Sequence, residues 1–323
     1  MNKNFWKNKS VLITGFEGFL GSNLTKALLT TKAKVVGLDI KTLRKQTILS
    51  SSDYKKIKVY QGSVTNYKLL LRILQKYSID IIFHLAAEAI IGVSQKKPLK
   101  AFESNVKGTW MVLEAAREYG KIEALIVASS DKAYGSHRNL PYKEEMPLRA
   151  NHPYDVSKSC ADLIANTYAH AYNLPVAITR CGNIFGPGDF NFSRIIPDTI
   201  KCALAGKTLL IRSDGKFIRD YVYIDDVVHG YILLAQRLKR LKLKGESFNF
   251  SDENPLAVLK LVKVISDILK RPPVYRILDQ AKYEIKHQYL ASSKARRILG
   301  WRPQHNLEYG IKRTVEWIKC YLS

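Results

Sequence analysis

Short, mostly apolar runs alternate with longer stretches of three- and four-residue periodicity along the first half of the chain. Ser10–Thr14, Lys34–Leu38, Ile57–Tyr60, Ile79–Phe83, Ala124–Ala128 and Val176–Thr179 have the length and content of buried strands. Between them, Ser22–Leu29, Tyr67–Tyr77, Asn105–Tyr119 and a segment opening near Tyr154 carry helical spacing. Strand and helix alternating five times without a break predicts a parallel, right-handed, doubly wound sheet. From Arg180 the pattern changes. Gly182, Gly186, Pro187, Gly188, Pro197, Gly206 and Gly215 interrupt regularity, so residues 181–323 are expected to form mainly a smaller lobe over the carboxyl edge of the sheet. Within them, a segment near 246–251 reads as one that returns to the sheet. No internal repeat, low-complexity tract or linker divides the chain.

The chemistry sits where strands end. Ser10–Thr14 runs straight into Gly15-Phe-Glu-Gly18-Phe-Leu-Gly21, and a helix follows. Such glycines serve a tight turn, close approach of backbone to pyrophosphate and close helix packing, while the helix N-terminus offers free N–H groups. The next strand ends in Asp39, 18 residues past Gly21, near the roughly 20 expected of a carboxylate that bonds the adenosine ribose. Residues 1–180 therefore read as a Rossmann-type dinucleotide domain. Asp39 would repel a 2′-phosphate, which favours NAD over NADP; Lys41 and Arg44 read as solvated loop charges. His84-Leu-Ala-Ala87 ends a strand in small residues suited to lie against a cofactor, and His84 reads as part of that wall or as a satisfied strand-end histidine rather than a catalytic group. Asn105 either supports the neighbouring backbone or is simply exposed.

Ala124–Ala128 ends abruptly in Ser129-Ser-Asp-Lys132, and Tyr154 and Lys158 stand four apart on one helix face. Bringing a phenol from about 10 to near 7 takes about 4 kcal/mol of differential stabilisation, much of which a neighbouring cation can supply. Apolar Val112, Leu113, Leu163 and Ile164 suit either a core or an interface between copies.

Charge and cysteine usage alter the picture little. Lys and Arg number 52 against 28 Asp and Glu, a net +24 with pI near 9.8. The basic residues are spread out, with one dense run at 237–244 and no nucleic-acid motif, so a site that attracts polyanions is favoured over RNA binding. Cys160, Cys181, Cys202 and Cys320 show neither metal spacing nor a disulfide framework. No apolar run suits a signal peptide or a membrane span, and the expected location is cytoplasmic.

These motifs, with Arg180-Cys-Gly-Asn183-Ile-Phe-Gly-Pro187, Arg219-Asp-Tyr-Val-Tyr-Ile-Asp225-Asp226 and Ser293-Lys-Ala-Arg-Arg-Ile-Leu-Gly-Trp301-Arg-Pro303, resemble the extended short-chain dehydrogenase/reductases of the nucleotide-sugar epimerase and dehydratase group over nearly the whole length. Ser130-Asp-Lys132, Gly186-Pro-Gly-Asp189, Arg194-Ile-Ile-Pro197 and the tail with His287 and Ser292 are similar to the CDP-glucose 4,6-dehydratase branch. Ser63 stands where the family usually has an acid near the adenine, and Glu88 where it has a glutamine.

The resemblance implies an NAD-dependent enzyme forming a 4-keto-6-deoxy sugar. It implies NAD held by Gly15, Gly18, Phe19, Leu20, Gly21, Asp39, Leu85, Ala86, Ala87, Asn105, Tyr154 and Lys158. Tyr154 would deprotonate the C4 hydroxyl with Ser130 and Lys158 assisting, Asp131 would act as acid, and a neutral Lys132 would act as base on C5. Glu88, Asn183, Arg194, Arg219 and His287 would contact the nucleotide-diphosphate sugar, and a homodimer is expected. The rivals are a nucleotide-sugar 4-epimerase, water loss with other regiochemistry, and a catalytically silent NAD- or RNA-binding relative.

Overall fold

A computed structural model describes residues 3–281 and 284–323. Seven strands form one parallel sheet: β1 (Ser10–Thr14), β2 (Lys34–Asp39), β3 (Ile57–Gln61), β4 (Ile81–His84), β5 (Ala124–Ala128), β6 (Val176–Cys181) and β7 (Ser247–Phe250). Their order is β7-β6-β5-β4-β1-β2-β3. The direction of winding reverses between β1 and β4, which leaves a crevice beyond the carboxyl ends of those strands.

Alternation along each strand explains why helices cover both faces. Val11, Ile13, Phe83 and Ile126 enter one core; Leu12, Ile82, Leu125 and Val127 enter the other. Five helices matter to the site: α1 (Phe19–Leu29), α2 (Tyr67–Tyr77), α3 (Gly108–Tyr119), α4 (Pro153–Ala171) and α5 (Ile224–Arg237). Helices α2 and α3 pack together on one face, and α1 and α5 on the other. Val112 and Leu113 of α3 are core, whereas Leu163 of α4 is exposed.

The chain beyond residue 180 is not gathered in one place. Helix α5 packs on α1 and β5, and β7 pairs with β6, because their apolar faces complete the cores of the main sheet. The remaining short strands form small sheets, among them Asn183–Phe185 with Tyr221–Tyr223 and His287–Gln288 with Ile218–Arg219.

Three boundaries differ from the pattern-based expectation. Helix α1 begins at Phe19 rather than Ser22, because Gly18 already serves as its N-cap. Strand β4 runs Ile81–His84. The helix expected to open at Asn105 begins earlier, at Pro98–Phe102, and passes through a π-helical turn at Glu103–Lys107 before α3.

A buried pair joins sheet and helix. Arg180 of β6 donates from Nε and Nη2 to both carboxylate oxygens of Asp162 on α4, at 2.8 and 2.9 Å. Its Nη1 reaches the Tyr134 hydroxyl at 2.8 Å and the Glu144 carbonyl at 3.2 Å. Removing one partner of such a pair leaves an uncompensated buried charge. Asp162→Ala is expected to cost about 3–5 kcal/mol of folding stability, measured by chemical unfolding; a loss below about 1 kcal/mol would show the pair to be dispensable.

Candidate active site

The crevice is a cavity of about 1040 Å³, at the upper end of the roughly 300–1,000 Å³ that small-molecule sites occupy. The glycine turn forms one end. Gly15 has φ +73° and lies so close to the β4 loop that a Cβ there would meet the Ala86 backbone at 2.9 Å. At Gly21 a Cβ would meet the Gly15 carbonyl oxygen at 2.0 Å. Gly18 differs: a Cβ would meet only that oxygen, at 3.2 Å, in space otherwise open. Gly18 caps α1 with no side-chain bond to the free N–H groups, and those donors remain for an anion. Phe19, Leu20, Leu85, Ala86 and Ala87 complete the wall.

Asp39 lines the cavity at the end of β2. Burial raises its carboxyl pKa, and the Arg44 guanidinium paired with it pulls it partly back. Arg44 is therefore not the solvated loop charge that its position suggested. An acid for the ribose, an open glycine cradle and an uncapped helix start fit an adenine dinucleotide.

At the middle of the cavity, Ser130, Asp131 and Lys132 leave β5 and face Tyr154 and Lys158 from the start of α4. Ser130 Oγ donates to Asp131 Oδ1 at 3.0 Å, while Asp131 Oδ2 is buried without a protein partner among the described residues. Burial pushes the Tyr154 phenol up to about 12; hydrogen bonding with Ser130 and the charge of Arg194 pull the other way, and Asp131 adds to the rise. Lys158 is not the counterweight expected. Its Nζ donates to the Ala128 carbonyl at 2.8 Å, and burial lowers its pKa to about 8. Lys132 Nζ donates to Gln288 Oε1 at 2.9 Å.

The substrate end holds Asn183, Arg194 and Arg219. Arg194 bonds Asp189 at 3.2 Å, and Arg219 donates to the Ile218 and Lys286 carbonyls at 2.8 and 3.0 Å. Arg212, which the sequence reading passed over, lines the same wall.

Three expected contacts lie off the cavity. Asn105 sits buried behind its wall, bonding the Glu88 backbone through both amide atoms and Ser157 Oγ at 2.9 Å; the π turn is where this amide finds its partners. The Glu88 side chain turns to Lys100, 2.6 Å away. His287 points out, because successive strand residues face opposite ways and the neighbour Gln288 takes the inward position. His84 is satisfied, bonding Thr14 at 2.8 Å and Thr109 at 3.1 Å, and burial keeps it neutral with a pKa near 3.

Sequence reading also missed Asp155. It is buried beside Tyr154 and lines the cavity, and burial raises its carboxyl to about 6, with Lys132 and His152 lowering it and Asp131 and Glu284 raising it. Its position next to the helix-borne tyrosine was the available signal.

This crevice, with its glycine turn and Tyr-x-x-x-Lys pair, defines a nucleotide-handling enzyme of the extended short-chain dehydrogenase/reductase class. Within that class the chain belongs to the family described as GDP-mannose 4,6 dehydratase, which matches residues 12–314. It is 30% identical to the CDP-glucose 4,6-dehydratase of Salmonella typhimurium, over 100% of this chain and 94% of that one. To the UDP-glucuronate 4-epimerase of Thermodesulfobacterium geofontis it is 29% identical, over 95% of each. The crystal structure of dTDP-glucose 4,6-dehydratase from Bacillus anthracis in complex with NAD superposes with a TM-score of 0.86 at 28% identity, covering 97% of both chains. No helix among the described residues is long and apolar enough to cross a membrane.

The two glycines separate binding from folding. Gly18→Val is expected to weaken NAD binding at least about tenfold with little change in melting temperature, whereas Gly21→Val should lower the melting temperature itself. Titration calorimetry and thermal unfolding together check this; equal effects of the two changes would contradict it.

Proposed function

We propose that the protein is an NAD-dependent nucleotide-sugar 4,6-dehydratase, converting a nucleotide-diphosphate hexose into its 4-keto-6-deoxy form. The observation that carries this reading is the acid–amine pair Asp131-Lys132, set at the end of β5 and facing Tyr154 across one cavity. An epimerase needs Tyr154, Lys158 and Ser130 but has no use for a second acid and base. NAD, held by the glycine turn and Asp39, would supply the hydride acceptor and donor that the chemistry at C4 and C6 requires.

Tyr154 takes the C4 hydroxyl proton, assisted by Ser130. Asp131, held by Ser130 through one oxygen and with the other free, donates a proton to the departing C6 oxygen. The C5 proton goes to Lys132 or to Asp155, a carboxylate in the same cavity. Arg194, Arg212 and Arg219 suit the diphosphate, because guanidinium geometry matches phosphate oxygens. Copies of the chain are expected to pair through α3 and α4, where Leu163 is exposed.

Incubation with CDP-, dTDP-, GDP- and UDP-hexoses, followed by mass spectrometry, tests the reaction. Loss of one water from one of them is expected; isomers of unchanged mass in every case would establish the epimerase instead. Asp131→Asn should slow water loss by about 10²–10⁴-fold while bound NAD is still reduced in a single turnover. If Asp155 is required as a carboxylate, turnover should rise as pH passes about 6, where its proton leaves. Asp155→Asn should abolish that limb, and a limb unchanged in the variant would assign it elsewhere.

A further inference from the structure

One buried side chain joins the strand beside Arg219 to the turn that carries Asp131 and Lys132. Gln288 lies on the short strand His287–Gln288 and is fully buried. That strand is fastened on both sides. It pairs in parallel with Ile218–Arg219, Gln288 standing opposite Arg219, and the Ile218 N–H donates to the Lys286 carbonyl at 2.9 Å. On the other side, the Tyr142 N–H donates to the Tyr289 carbonyl and the Ala291 N–H to the Tyr142 carbonyl, both at 2.9 Å. The Leu290 N–H reaches Asp220 Oδ2 at 3.1 Å. A side chain on backbone held this way has a fixed origin.

Gln288 Oε1 accepts from Lys132 Nζ at 2.9 Å, while Nε2 is buried with no partner among the described residues. A glutamine kept only for the fold would be expected to satisfy both ends, since an unmet buried donor is costly. This amide is instead committed to the amine. Lysine reaches out on a flexible four-carbon stem, and a misplacement of about 1 Å in a reacting group can cost about 10²-fold. An amide oxygen fixes the amine without adding a negative charge beside it.

We propose that Gln288 is the positioning residue of Lys132, holding Nζ where it takes the C5 proton. The inference rests on the dehydratase reading and deepens it: of the two groups open to that proton it selects Lys132. As the proton passes to Lys132, the C5–H electron pair forms the C5–C6 double bond, and the C6 oxygen leaves as water with a proton from Asp131.

Single turnovers of the full chain with NAD and each of CDP-, dTDP-, GDP- and UDP-glucose test it, with NADH absorbance following C4 oxidation and mass spectrometry following water loss. Gln288→Leu is expected to slow water loss at least about tenfold while C4 oxidation stays within about twofold, so that NADH accumulates. Its melting temperature should not fall, because the unmet donor goes with the amide. Gln288→Glu keeps the acceptor but adds a negative charge, which favours a protonated amine. Water loss should then be slow at neutral pH and recover as pH rises, a change that a packing role would not produce. The other titratable groups facing this turn are Asp131 beside Lys132, His152, Tyr154 and Asp155 at the start of α4, and Arg219 and Glu284 across the cavity; the substitution leaves them in place. In a Lys132→Met background, Gln288→Leu should add no further loss. Equal slowing of oxidation and water loss by Gln288→Leu, its full effect in the Lys132→Met background, or native water loss by Lys132→Met would each overturn the proposal and leave the dehydratase reading standing. Water loss from none of the four sugars with the native protein would remove both.

Discussion

One buried guanidinium braces both sides of the candidate site. Arg180 projects from β6 into the space between sheet and α4, where it meets Asp162 with two parallel hydrogen bonds and Tyr134 with a third. The ring of Tyr134 also lies under the guanidinium carbon at 4.8 Å. Tyr134 ends the short 3₁₀ turn that carries Asp131 and Lys132, and α4 carries Tyr154 and Lys158. This charged group thus ties the two halves of the site together, alongside the bond from Ser159 Oγ of α4 to the Ala133 carbonyl of the turn at 2.9 Å. Its desolvation is offset only because nearly every donor has a partner, the condition under which a buried pair is tolerated.

The electrostatics of the cleft follow from burial more than from pairing. The Tyr154 phenol is raised and the Lys158 ammonium lowered chiefly by loss of water, each towards its uncharged form. Burial thus disfavours ionisation of the phenol. Three arginines on the opposite wall give the excess of positive charge a local meaning, as an attractor for a polyanion.

What could be read from the sequence was whatever depended on local spacing. The glycine turn, the Tyr154–Lys158 pair and the sheet strands are defined within a few residues of themselves, so periodicity and turn chemistry suffice. The return of Ser247–Phe250 to the sheet was also legible, as a segment near 246–251. Partnerships across the chain did not show. Lys132 finds Gln288 at a separation of 156 residues, and Glu17 grips a loop 26 residues on. His287, expected at the substrate, faces outward, because on a strand neighbouring residues face opposite ways and Gln288 takes the buried side. Asn105 was placed at a helix start because side-chain spacing carries no sign of a π turn.

That turn has a bearing on how the protein tolerates change. A π-helical turn is an α-helix with one residue to spare, and the flanking segments keep their phase across it. Shedding a single residue between Glu103 and Lys107 would leave Val112 and Leu113 seated as before, yet would withdraw the amide that grips Glu88 and Ser157. The stitching of the crevice wall can therefore be undone by evolution without unravelling the fabric it is sewn to.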